Sequence, residues 1–231
     1  MDMIPPMSEL LNCIEQEPSA PAQAAVIWMH GLGATAHDFE SIPPELGLPS
    51  DLAVRYIFPQ APSIPVTLNN GMIMPAWYDI LNLGTGTAGR GQDEAGIRRS
   101  EAQITALVDR EVERGIDPSK IVLAGFSQGG AMALHTGLRY PRPLAGIMVL
   151  SAYLLLHEKL EQEASDANRK VSIFQAHGSF DPMVRMEWAT QSRGHLEDGG
   201  WDVQWHEYPM AHQVCLEEVQ AIGRWLGSVL S

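Results

Sequence analysis

Residues 120–134 read KIVLAGFSQGGAMAL, and the fold is decided there. Lys120 to Ala124 is a short aliphatic and β-branched run, the signature of a strand buried on both faces. Gln128 to Tyr140 is rich in Ala, Gly and Leu and stops before Pro141, the signature of a helix. Between them stands Gly125-Phe126-Ser127-Gln128-Gly129, a G-x-S-x-G pattern. A strand that turns tightly into a helix around a serine with small neighbours presents that hydroxyl at a helix N-terminus, where developing negative charge is favoured. Taken alone, the same residues also suit a glycine-rich turn whose serine caps the helix.

Working outward, short apolar runs alternate with longer helical periods. Ala24 to Met29, Ala53 to Phe58, Leu144 to Leu150, Val171 to Ala176 and Asp202 to Tyr208 read as further strands. Asp93 to Arg114 reads as a helix, with Ile97, Ile104, Leu107, Val108 and Val112 at helical spacing and Gly115 as its stop. Met183 to Glu197 and Val214 to Leu230 read as two more. This alternation predicts an α/β fold, a mostly parallel sheet with helices on both faces. Reactive groups in such a sheet lie beyond the carboxyl ends of the strands. The loops that matter therefore follow Met29, Phe58, Ala124, Leu150, Ala176 and Tyr208.

A serine hydroxyl needs a base, and the base needs an orienting acid. The run VSIFQA leads into His177-Gly178-Ser179-Phe180-Asp181-Pro182, and DVQWHEY leads into Pro209-Met210-Ala211-His212. Asp181 and His212 thus sit on two separate strand-end loops, in the chain order serine, acid, histidine. Asp181 before Pro182 also suits the cap of the helix that follows. His177 ends a strand as well, but it precedes Asp181 and so breaks that order. His30, beside the first strand's loop, suits a structural hydrogen bond, and the remaining histidines carry no assigned role. In the loop His30-Gly31-Leu32-Gly33-Ala34, the glycines let the Leu32 backbone approach a ligand closely. An oxyanion hole built from the Leu32 and Gln128 amides follows.

The chain has 231 residues, enough for one large domain, with 45% hydrophobic and 19% charged residues. Its net charge of −13 argues against nucleic acid and against an anionic membrane surface as partners. Two cysteines, Cys13 and Cys215, are too few for a disulfide framework or a cysteine zinc site. No apolar run is long enough for a membrane span, and Met1 to Leu11 holds no Lys or Arg, so a cytoplasmic location without integral membrane association is expected. Gly84, Gly86 and Gly89 spell G-x-G-x-x-G, but no strand leads directly into them and Arg90 to Gln92 intervene before the helix, so a dinucleotide site is not expected.

Together these motifs resemble the carboxylesterase/acyl-protein thioesterase/lysophospholipase family of α/β-hydrolases. The matching pieces are VIWMHGLGA (26–34), PQAP (59–62), VTLNNGMIMPAWYDI (66–80), DEAGI (93–97), KIVLAGFSQGGAMAL (120–134), HGSFDPMV (177–184) and His212 before the last helix. The resemblance runs from about Val26 to the C-terminus. It implies Ser127 as nucleophile, Asp181 as acid, His212 as base, and Leu32 and Gln128 as oxyanion donors. It also implies a flap, residues 59–78, over the acyl pocket; the charge-free composition from Pro59 to Tyr78 suits such a cover, or equally a buried connecting loop. Trp77, Leu32 and Phe126 are the expected substrate contacts. Residues 1–20 are expected to be peripheral to a single domain spanning 1–231. The activity expected first is that of a serine carboxylesterase on small-molecule esters of short to medium acyl chain, with no cofactor and no metal. An acyl-protein thioesterase or lysophospholipase is the alternative, and the apolar flap also offers a homodimer contact.

Overall fold

The computed structural model describes residues 10–82 and 91–231. The G-x-G-x-x-G glycines and most of the glycine-rich run from Leu81 to Gly91 lie outside the described residues. Seven strands form one sheet: β1 (Cys13–Gln16), β2 (Ala24–Met29), β3 (Val54–Pro59), β6 (Ile121–Phe126), β7 (Gly146–Leu150), β8 (Ser172–Gly178) and β9 (Val203–Tyr208). Their spatial order is β1-β3-β2-β6-β7-β8-β9. Every neighbouring pair is parallel except β1 on β3, which is antiparallel. From β2 the chain steps one way to β3; from β6 it steps the other way through β7, β8 and β9. The order therefore reverses between β2 and β6, the place where open α/β sheets hold ligands.

The sheet is buried on both faces because its central strands are apolar on both. In β2, Ala25, Ile27 and Met29 join one core while Ala24, Val26 and Trp28 join the other. The first core packs under α1 (Glu94–Glu113) and α2 (Gln128–Arg139), together with Trp188 and Leu196 of α4 (Met186–Asp198). The second packs under Val219, Ile222, Trp225 and Leu226 of α5 (Leu216–Leu230). Asp93 caps α1 by accepting from the Gly96 amide at 2.9 Å. Among the described residues, no helix is long and apolar enough to cross a membrane.

Three elements depart from the sequence reading. The 59–78 segment contains an antiparallel hairpin, β4 (Ser63–Val66) with β5 (Met72–Pro75), rather than an irregular loop. A short helix, α3 (His157–Glu163), follows β7. The N-terminal segment is peripheral only in part, since Cys13–Gln16 is the edge strand of the main sheet. Glu15 within this strand and Glu17 just after it bond the guanidinium groups of Arg110, Arg114 and Arg55.

Candidate active site

Ser127 stands at the tip of β6 with φ 54° and ψ −120°. A non-glycine residue rarely adopts such a backbone, and holding it there costs on the order of 1–3 kcal/mol. The neighbours make it possible. A Cβ on Gly125 would fall 2.3 Å from the Gly129 backbone, and one on Gly129 would fall 2.4 Å from the Met29 carbonyl oxygen. Only glycines allow β6, the turn and α2 to crowd against β2 in this way. Ser127 occupies the N-cap position of α2, yet its side chain makes no capping hydrogen bond. That removes the alternative reading of the serine as a simple cap. Its backbone is pinned instead, by the Ser127 N–H donating to the Leu150 carbonyl at 2.8 Å.

Asp181 and His212 are brought together from their separate loops. His212 Nδ1 lies 2.7 Å from Asp181 Oδ2. The other carboxylate oxygen, Oδ1, accepts from the Met183 and Val184 amides at 2.8 and 2.9 Å. These bonds close a turn; α4 begins later, at Met186, so Asp181 does not cap it. The two loops are stitched by the Ser179 N–H to the Tyr208 carbonyl and the Phe180 N–H to the Met210 carbonyl. Gly178 permits the approach, because a Cβ there would meet the Met210 carbonyl oxygen at 2.4 Å. The Asp181 side chain is fully buried. Burial pushes its carboxyl up, but the His212 hydrogen bond, the Val184 and Met183 amides and the His212 charge outweigh that and hold it below the usual carboxylate range. The Phe126 ring packs against the imidazole, with centroids 4.6 Å apart.

The other two histidines near the site are structural in their contacts. His177 is buried, with Nε2 2.8 Å from the Val184 carbonyl oxygen and a longer 3.7 Å from Asp181 Oδ2, and burial lowers its pKa. His30 Nδ1 lies 2.7 Å from the Gly31 carbonyl oxygen and its Nε2 accepts from the Ala61 amide at 3.1 Å.

One cavity of about 340 Å³ takes in Ser127, His212, Leu32, Gln128 and Phe126, five of the seven residues singled out from the sequence, with Asp181 behind His212. Its walls are mostly apolar, and its volume is at the small end of ordinary ligand pockets (roughly 300–1,000 Å³). Gln128 is the first residue of α2, so the helix's own ladder leaves its amide unbonded. Gly31 brings the Leu32 loop close, since a Cβ there would lie 3.4 Å from Ser127 Cβ. Trp77 is placed differently from expectation: it is only 2% exposed and does not line the cavity. Leu68, Asn69 and Met74 of the hairpin, with Tyr153 after β7, supply walls that the sequence reading did not single out. The signal was there in part, since all six strand-end loops marked for inspection contribute to the lining.

Residues 12–230 match the phospholipase/carboxylesterase family. Acyl-protein thioesterase 1 of Neurospora crassa is 44% identical over 209 residues, which cover 88% of this chain and 85% of that one. Among solved structures, Arabidopsis thaliana SOBER1 superposes with a TM-score of 0.85 at 29% identity, covering 91% of this chain and 100% of its own. Zea mays acyl-protein thioesterase 2 gives a TM-score of 0.82 at 25% identity, covering 95% of this chain and 99% of its own.

Proposed function

From the premise that the chain belongs to the phospholipase/carboxylesterase family of α/β-hydrolases and is a serine-type ester hydrolase, we propose that it removes long acyl chains from thioesters on proteins. Ser127 Oγ attacks the acyl carbonyl while His212 takes its proton. Asp181 fixes the imidazole through Nδ1 and stabilises the imidazolium. The oxyanion of the tetrahedral intermediate is held by the Leu32 and Gln128 amides. His212 returns the proton to the departing thiolate or alkoxide, leaving an acyl-Ser127 ester. Water, deprotonated by His212, then attacks that ester; the acid departs and Ser127 regains its proton.

The observation that carries this reading is the meeting of Ser127 and the Asp181-bonded His212 on one apolar-walled cavity. The choice of substrate is supported by the names of the relatives, which favour the thioesterase reading over the short- to medium-chain carboxylesterase expected first. It is supported too by the apolar character beside the cavity, where Met72 and Ile73 on the hairpin and Phe180 and Met183 around Asp181 are each more than 60% exposed. The test is to compare kcat/KM for an S-palmitoylated peptide with that for p-nitrophenyl acetate through p-nitrophenyl palmitate. The proposal expects the long-chain thioester to be preferred. A maximum at short oxoesters, with the thioester peptide untouched, would return the carboxylesterase reading.

A further inference from the structure

The oxyanion hole implied above needs two amides that come from different strands, Leu32 after β2 and Gln128 after β6. One short segment, Pro75 to Tyr78, touches both sides of it. The Gln128 side chain is 3% exposed. Its Oε1 accepts from the Trp77 backbone N–H at 2.8 Å, and its Nε2 donates to the Tyr78 carbonyl at 2.7 Å. The Trp77 indole Nε1–H donates to the His30 carbonyl at 2.8 Å, and the Pro75 carbonyl accepts from the Gly33 N–H at 2.8 Å. The Ser100 hydroxyl of α1 in turn donates to the Trp77 carbonyl. Thus the residues on both sides of Leu32 and the residue after Ser127 are tied to a single stretch of backbone, itself anchored on α1.

We propose that Trp77 and the Gln128 side chain are positioning residues, which set the distance between the two oxyanion amides through this brace. The proposal rests on the mechanism proposed above. The physical reason is that an oxyanion hole works by preorganisation: donors must already sit where the charge will develop, and an error of about 1 Å can cost a hundredfold in rate. Leu32 lies in the turn just after β2, with glycine on either side, at the start of a stretch, 30–42, that holds no strand or helix. Its own turn is closed by the Ala34 N–H to the Gly31 carbonyl at 3.2 Å, and the Pro75 and Trp77 bonds are what tie that turn to the rest of the fold. Trp77 is large, buried and off the cavity wall, so its bulk serves the loop rather than the substrate. The side chain of Gln128 does the same from the start of α2, and its backbone N–H is left for the reaction.

The brace predicts a specific kinetic pattern. Trp77→Phe keeps an aromatic ring and deletes the indole N–H together with part of the buried ring bulk. Gln128→Met keeps the length and the backbone amide and deletes both side-chain hydrogen bonds. Each variant is measured on p-nitrophenyl esters with kcat divided by the number of serines titrated by a fluorophosphonate, which removes any misfolded fraction. An alkyl boronic acid is measured in parallel, because its tetrahedral adduct with serine places an oxygen where the oxyanion sits. The expected result is a drop in kcat per titrated site of about tenfold for Trp77→Phe and up to a hundredfold for Gln128→Met. KM stays within about twofold, and the boronate inhibition constant rises by the same factor as kcat falls. If Gln128→Met does not fold, Trp77→Phe, which leaves Gln128 intact, carries the test. An unchanged kcat per titrated site with unchanged boronate affinity overturns the brace. So does a rise in KM alone, which would make the segment a substrate wall. A wild-type protein that neither hydrolyses esters nor reacts with the fluorophosphonate instead overturns the underlying mechanism, and the brace with it.

Discussion

At the scale of the residue, Asp181 makes the plainest prediction. Its carboxylate accepts from His212 Nδ1 and holds one tautomer of the ring. Asp181→Asn presents an N–H to that nitrogen in its place and should lower kcat by about 10⁴-fold with little change in KM, read from steady-state kinetics on a p-nitrophenyl ester. Glu218 gives a second prediction, on stability. It is fully buried in the first turn of α5, just beyond the His212 loop. Burial pushes its carboxyl from 4.5 up to about 8, with the Cys215 backbone N–H pulling weakly the other way. Below 4.5 the carboxyl is protonated in folded and unfolded chains alike. Between 4.5 and about 8 the unfolded chain releases the proton and the folded one keeps it, so stability falls as pH rises across that window. Glu218→Gln should abolish this slope and gain on the order of 3 kcal/mol at pH 8, measured by denaturant titration. Equal slopes in the two proteins would refute it. The meeting of His212 and Asp181 beside Ser127 was legible because the proposed chemistry needs fixed residue types in a fixed order. Trp77 was misplaced because composition marks an apolar loop without saying which of its side chains turn inward.

At the scale of the element, the strands and helices with long apolar periods were read to within a few residues. β6 and α2 were clear because a buried parallel strand and a helix stopped by Pro141 both leave strong local signals. The hairpin was not clear, since Pro65 and Pro75 sit inside four-residue strands that only a two-stranded ribbon with free edges tolerates. β1 was missed for a related reason: Cys13-Ile14-Glu15-Gln16 has little hydrophobicity of its own and is held by its ladder to β3 and by charge. Glu111 of α1 is the centre of that clamp. Its side chain is fully buried, with Arg55 at 2.7 Å and Arg110 and Arg114 at 3.0 and 3.1 Å. Glu111→Leu leaves three guanidinium groups without their shared anion and should cost about 3–5 kcal/mol in a denaturant titration. Because the clamp lies away from the cavity, kcat at 25 °C should be unchanged.

At the scale of the whole molecule, the sheet reverses its order between β2 and β6, and this puts the Leu32 and Ser127 loops side by side. Alternation of strands and helices made the parallel sheet legible, but strand order depends on which elements pair across the fold, and that is absent from any local pattern. The charge of −13 acts at the same scale. An acyl thioester peptide carried on anionic vesicles should be cleaved more slowly than on zwitterionic ones at low ionic strength, with the difference lost near 0.5 M salt, where the Debye length is only about 4 Å. Equal rates on both surfaces at low salt would show that the charge does not steer encounter.

The central claim is an acyl-enzyme formed on Ser127. The most direct measurement is intact-protein mass spectrometry after treatment with a fluorophosphonate, with peptide mapping and ester hydrolysis followed in parallel for wild type and Ser127→Ala. The account predicts one adduct, mapped to Ser127, and none in the variant, whose kcat falls by about a thousandfold or more. An adduct on another residue, or near-full hydrolysis by Ser127→Ala, would contradict it.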